Sequence, residues 1–190
     1  MTASYKPAIR LQPRLLALSA LVLLGGAGMR AAQALDNATA TATAIVLQPI
    51  AVTKSADLVF GNLVAGNGDV TVATDGARTR NGTAVLPSGV TPAAARFDVT
   101  GAGTQSFTID YTGSDTTLSD GATHTMAIDW ITEVTATATP TGKTNAATDA
   151  TTGTLTSGAA YIYVGAVLTV GSSQTPGTYT GVVKVTLAYN

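Results

Sequence analysis

The sequence predicts an all-β protein, an antiparallel β-sandwich, on three observations. Its last fourteen residues alternate like a half-buried strand, its composition suits pleated surface, and turn signals recur along its whole length. In Gly177–Asn190, Tyr179, Val183, Val185, Leu187 and Tyr189 fall on one face, with Gly181 in the same row. Thr178, Thr180, Lys184, Thr186 and Asn190 fall on the other, interrupted by Val182 and Ala188. A two-residue period describes a strand with one face buried, and Pro176-Gly177 supplies the turn before it.

Residues 1–34 are predicted to be a signal peptide, with Lys6, Arg10 and Arg14 ahead of the apolar stretch Leu15 to Met29. Ala32-Gln33-Ala34 is the small-x-small cleavage site, and no cysteine follows for a lipid anchor. The protein is therefore expected to be exported, through a periplasm to a cell surface or medium. Residues 35–190 are expected to form a single domain.

The chain carries ten basic and eleven acidic residues, and the signal removes Lys6, Arg10, Arg14 and Arg30 but no acid, which leaves a net charge of −5. Six scattered cations make no basic stripe, so neither nucleic acid nor membrane insertion of the mature chain is expected. There is no cysteine, hence no disulfide to staple the fold. Threonine supplies 33 of the 156 residues after position 34, among abundant Ala, Val and Gly and few charges. Thr and Val favour strands, while Gly and Asp mark the turns between them.

Taken in order, Asn37–Gln48 opens with alternating Ala and Thr and thickens into Ile45, Val46 and Leu47. It reads either as an ordinary first strand or leader, or as an arm (35–46) that pairs with an exposed sheet edge elsewhere. In Pro49–Gly66, Ile50, Val52, Leu58, Phe60 and Leu63 are candidate core anchors, Lys54-Ser55 a bend and Gly61 a kink or bulge. Val70–Thr74 and Gly82–Leu86 are predicted strands, with hairpin-type turns at Asp75-Gly76 and Asn81-Gly82. Ala94–Thr100 and Thr104–Tyr111 are predicted to form a hairpin around Gly101-Ala-Gly103. Thr112–Thr123 reads as a polar loop, and Thr125–Ala138 as a long strand with a slip near Ile131. Pro140–Gly153 is another loop, and Ser157–Gly171, the most apolar stretch, is the expected central strand. Nine to eleven strands result, the number of a sandwich.

The search for chemistry is mostly negative, and no enzyme and no cofactor is expected. His124, the single histidine, has no second ligand at metal spacing. Asp115 and Asp120 share a loop, but not in a calcium-loop pattern. Asp129 and Glu133 fall on one strand face, where a carboxylate pair can do acid–base work on a glycoside but is more often a solvated face. Tyr161, Tyr163, Tyr179 and Trp130 would line a carbohydrate strip if the fold brought them together, which makes a self-contained secreted binding module the alternative function.

Three stretches carry a family resemblance over essentially the whole mature chain. They are Ala40-Thr-Ala-Thr-Ala-Ile45 with Val52-Thr-Lys-Ser-Ala-Asp-Leu-Val-Phe-Gly61; Tyr163-Val-Gly-Ala-Val-Leu-Thr-Val170; and Gly177-Thr-Tyr-Thr-Gly181 with Val185-Thr-Leu-Ala-Tyr189. They resemble an exported bacterial family, the domain of unknown function 4402. The ending and Leu58-x-Phe-Gly61 also resemble archaic chaperone–usher pilins and spore-coat U domains. That resemblance implies an immunoglobulin-like sandwich completed by the N-terminal strand of the next subunit. It implies a structural role in a surface fibre, with other copies of the chain or related subunits, a periplasmic chaperone and an usher as partners. Ala38, Ala40, Ala42, Ala44 and Val46 would then be the donor arm, and Tyr179, Val183, Val185, Leu187 and Tyr189 the acceptor edge.

Overall fold

The computed structural model of the chain describes residues 36–147 and 149–190. The predicted signal peptide, 1–34, lies outside the described residues. The chain divides into two units, Met1–Thr43 and Ala44–Asn190. In the first, residues 36–43 lie in no strand. The second holds ten strands: β1 (Ala51–Ala56), β2 (Gly68–Val72), β3 (Arg78–Gly82), β4 (Ala95–Thr100), β5 (Ser106–Asp110), β6 (Thr117–Ser119), β7 (Thr125–Thr135), β8 (Thr152–Thr154), β9 (Ala159–Val170) and β10 (Thr186–Tyr189). Every ladder is antiparallel, and no described residue is helical.

The most apolar stretch is the central strand, as its composition predicts. β9 pairs with β7 along one edge, and with β4 and then β2 in series along the other. A strand flanked on both edges has no use for polar side chains at most positions. Ala160, Ile162, Val164, Ala166, Leu168 and Val170 are all buried. Gly165 sits where β4 gives way to β2; a Cβ there would strike the backbone of Val72 and Ala73. β1 extends the sheet beyond β4, β3 beyond β2, and β6 beyond β7. The second sheet runs β10–β5–β8.

Between the layers, the core forms two clusters. One gathers Phe97, Val99, Phe107, Ile109, Leu155 and Ile162; the other gathers Val70, Leu118, Met126, Ile128, Leu168 and Val170. Trp130 and Leu58 pack against both.

The structure corrects several local expectations. β4 and β5 are not a hairpin: β4 belongs to the first sheet and β5 to the second, so Gly101–Gly103 is a crossing between layers. Phe97, Val99, Phe107 and Ile109 face one core from opposite sides, which alternation alone cannot distinguish from a shared face. Asn81-Gly82 ends the β2–β3 ladder rather than turning it, and beyond it Thr83 N donates to Asn67 O (2.9 Å) and Val85 bridges Val64, without a further regular strand. β1 runs through Lys54-Ser55 with a bulge between Lys54 and Ala56. The loops 112–123 and 140–153 hold β6 and most of β8. Around Ile131 the β7–β9 register is continuous from Ile128 to Thr135. Ile131 is buried there, and its neighbours Thr132 and Glu133 pin the loop that follows β7 to this sheet. The Glu133 carboxylate accepts from the Thr74 hydroxyl and from Thr141 N (2.9 Å), and Lys143 Nζ donates to Thr132 O (2.9 Å).

Candidate functional site: an open groove between two strand edges

The C-terminal strand is longer than its regular ladder. Thr180 exchanges backbone hydrogen bonds with Ser119 (2.8 and 2.9 Å), and Val182 O accepts from Asp115 N (2.9 Å). At the next two steps side chains replace carbonyls: Val182 N donates to the Asp115 carboxylate (2.7 Å), and Lys184 N to Ser114 Oγ (2.9 Å). Thr186 and Ala188 then pair with β5, and Asn190 N reaches Ser106 O (3.2 Å). One edge of 180–190 is thus engaged throughout, always through the even-numbered residues.

A strand's backbone groups alternate sides as its side chains do, so the odd-numbered residues aim N–H and C=O at the opposite edge. Among the described residues, the backbone of Gly181, Val183 and Val185 meets no partner. Their row, Tyr179, Val183, Val185, Leu187 and Tyr189, alternates as predicted but is only half-buried along its whole length.

Facing this edge is the continuation of β1. Val59 pairs with Ala93 and Val64 with Val85, both away from the C-terminal strand. The Arg78 guanidinium, also away from it, donates to Phe60 O (2.7 Å), Asn62 O (2.9 Å) and Pro87 O (3.1 Å). Gly61 kinks the wall at φ +76°; a Cβ there would stand 2.8 Å from Arg78 Nη1 and 2.9 Å from Val90 O. The backbone of Leu58, Gly61 and Leu63 has no partner among the described residues.

Between the two walls lies a cavity of about 1140 Å³, floored by Phe97, Leu118, Met126, Ile128, Trp130 and Leu168. Sites for small ligands run to roughly 300–1,000 Å³. This one is larger, elongated and bordered by idle main chain. The Trp130 indole N–H is satisfied by Asp115 O at 2.8 Å, so the ring offers the groove only apolar surface. Gly181 stands in the inward row without a side chain, and a Cβ on it would come within 2.7 Å of Leu118 Cδ2.

The groove is open at one pole and closed at the other. Toward β10 and the start of β1, Ile50, Val52, Leu187 and Tyr189 pack into one cluster. There the Tyr189 hydroxyl accepts from Ala102 N (2.7 Å) and donates to Gln48 O (2.8 Å). That bond fixes the root of the N-terminal segment at the closed pole. Just before it, Ile45 is 83% exposed and Val46 94%. Ala44 and Val46 of the predicted arm lie in no strand, and Ala38, Ala40 and Ala42 belong to the other unit. Of the predicted acceptor residues, Tyr179 and Val183 line the groove, while Val185, Leu187 and Tyr189 pack in the closed half.

The other candidates do not converge. Trp130 and Tyr179 face the groove, but Tyr161 and Tyr163 lie elsewhere, with Arg96 stacked 4.9 Å over the Tyr161 ring and Tyr163 buried. Although burial opposes it, hydrogen bonds from Ser55 and Arg96 hold Asp98 below the usual carboxylate value. Glu133 is the buried clamp of the 140–150 loop, while Asp129 is exposed, so the pair does not share a site. His124 Nδ1 lies 2.6 Å from Asp120, whose carboxyl is held low chiefly by the Ala122 N–H. Asp115 thus serves the backbone of the C-terminal strand at Val182, and Asp120 its own turn at Ala122. Burial pushes the Tyr111 hydroxyl up to about 12 while it donates to Ala150 O.

Sequence reasoning missed Leu118 and Arg78, and weighed Asp115 only for calcium, not as a partner of the C-terminal strand. Leu118 alone left a trace, a single large apolar residue between Thr117 and Ser119.

Among known proteins, the family model described as "Domain of unknown function (DUF4402)" matches residues 50–189. No curated protein and no solved structure matches the chain.

Proposed function

The chain belongs to the DUF4402 family, and we propose that it is a structural subunit of an exported bacterial surface fibre, joined to its neighbours by donor-strand exchange. The observation that carries this is the groove: an apolar slot in a sandwich, walled on both sides by strands whose inner-facing backbone is idle. A strand laid there gains main-chain hydrogen bonds on two edges and seats its inward side chains on the core. Each large apolar side chain so buried adds about 1.5–3 kcal/mol.

The donor is the N-terminal arm of a second copy. Tracing the ladders around the sheet, from β1 through β4, β9, β7 and β6, shows that 57–65 and 177–185 run in opposite directions. An inserted strand is therefore parallel to one wall and antiparallel to the other. The arm is rooted at the closed pole and the slot opens at the opposite one, so copies stack head to tail. The incoming arm then runs antiparallel to the C-terminal strand. Twelve residues, 36–47, extend to about 40 Å, enough for the roughly 30 Å of wall from Asp57 to Ala65. A periplasmic chaperone would hold the same slot in transit to an usher.

The test is to export the chain in a bacterial host and run it unheated and heated on a denaturing gel, beside a version lacking residues 36–44. The expected result is a ladder that collapses on heating and is missing without the arm. A single band from a folded monomer of fixed size would overturn the proposal and leave the slot to a small ligand.

A further inference from the structure

Two exposed apolar features have no role within one copy. One is at the arm's root, Ile45 and Val46. The other is at the open pole, where Val64 and Val85 pair across strands with side chains 51% and 53% exposed. Directly paired residues project to the same face, so these two valines form one apolar step. It abuts the mouth of the slot, which Val64 itself lines.

We infer that Val64 and Val85 are the seat for Ile45 and Val46 of the next copy. This rests on the donor-strand proposal above and adds a register to it. The chain's polarity brings the two features together. An arm entering at the open pole keeps its root there, with its N-terminal end deep in the slot. The bulky residues nearest the root then lie over the Val64–Val85 step, and the Ala/Thr run lies further in. The opposite polarity, a copy folding its own arm back from the closed pole, places Ile45 far from Val85. It brings Ile45 toward the far end of the slot, where Val182 is 63% exposed. The two arrangements therefore predict different neighbours for one side chain.

The chain has no cysteine, which makes the neighbours directly readable. The full chain, exported as above, is given Ile45→Cys or Val46→Cys together with Val85→Cys, and in parallel the same arm changes with Val182→Cys. Each is oxidised, or treated with a short bis-maleimide, then heated and run with and without reductant. The Val85→Cys pairs are expected to give a cross-linked ladder of dimers and higher species that survives heating, and the Val182→Cys pairs none. Cross-linking of the Val182→Cys pairs alone would overturn the inference by showing the reverse polarity. So would no cross-link from either set while the arm-dependent, unheated ladder persists, and in that case donor-strand exchange would stand. Loss of the unheated ladder from the unaltered chain would overturn both. Val85→Asp is the non-covalent check: species above dimer are expected to fall about tenfold, with monomer melting unchanged and partial recovery on adding Ile45→Lys. An undiminished ladder in Val85→Asp would also overturn the seat.

Discussion

The two poles of this sandwich are built from the same two strands and end differently. At the closed pole β1 and β10 approach, and Ile50, Val52, Leu187 and Tyr189 join a cluster with Phe107 and Ile162. At the open pole their continuations, 57–65 and 177–183, part around the slot. Alternation of the C-terminal strand is unbroken from one pole to the other, so patterning does not distinguish them. What differs is the wall opposite: a regular strand with one bulge at the closed pole, and at the open pole a strand kinked at Gly61 and held outward by Arg78. A sandwich can thus be closed along half its length and open along the rest.

The largest effect expected from this contrast is in the core. Phe107→Ala, at a fully buried position of the closed half, should cost about 3–5 kcal/mol, because the cavity left behind cannot collapse. Leu63→Ala, on the half-buried slot wall, should cost less than about 1.5 kcal/mol in the monomer. It should nonetheless lower the temperature at which the ladder collapses, since the side chain is covered only when the slot is filled. Chemical denaturation of monomers and heating of multimers separate the two. Equal monomer costs would mean the slot is already closed in a single copy.

Next comes the latch at the closed pole. Tyr189→Phe removes two hydrogen bonds, one from Ala102 N and one to Gln48 O, at an expected cost of about 1–2 kcal/mol. Tyr179→Phe at the open pole removes bonds within an exposed turn, from Gln174 Nε2 and to Thr175 O. It should cost visibly less. Hydrogen exchange at Ala102 should quicken in Tyr189→Phe alone; the same rate in both variants would remove the latch from this account.

The smallest effect is in pH. Asp98 and Asp120 are both held below the ordinary carboxylate value of 3.8. A depressed carboxyl stabilises the fold above its unfolded value, and that contribution is lost as pH falls through the folded value. The fold should therefore melt lower below pH 3.8 than near neutrality, and Asp98→Asn should reduce that difference. A melting profile as steep in the variant as in the parent would assign the acid sensitivity to other groups.

Much of the molecule was legible in its sequence, for reasons visible in particular residues. β9 is apolar at every position but Thr169 because both its edges are paired and most of its two faces is covered, and that leaves a signature no surface strand has. Gly61 could be read as a kink because only a residue without a Cβ fits beside Arg78 and Val90. The supposed hairpin at 101–103 was misread because strands on opposite sheets show the same alternation as strands on one. Leu118 and Asp115, in a loop that looked polar, complete the floor and the edge of the slot, and a three-residue strand has too few positions to display a period.

By itself, then, the sequence determined the class of fold, the buried centre and the inward row of the last strand, since these follow from local alternation and burial. Only the tertiary structure decided that this row stays half covered, that its outer backbone edge is idle, and that the arm is rooted at the opposite pole. Those facts depend on which strands become neighbours. Neighbour choice is set by contacts between residues far apart in the chain, such as Tyr189 with Gln48 and Arg78 with Phe60, and no local pattern encodes them.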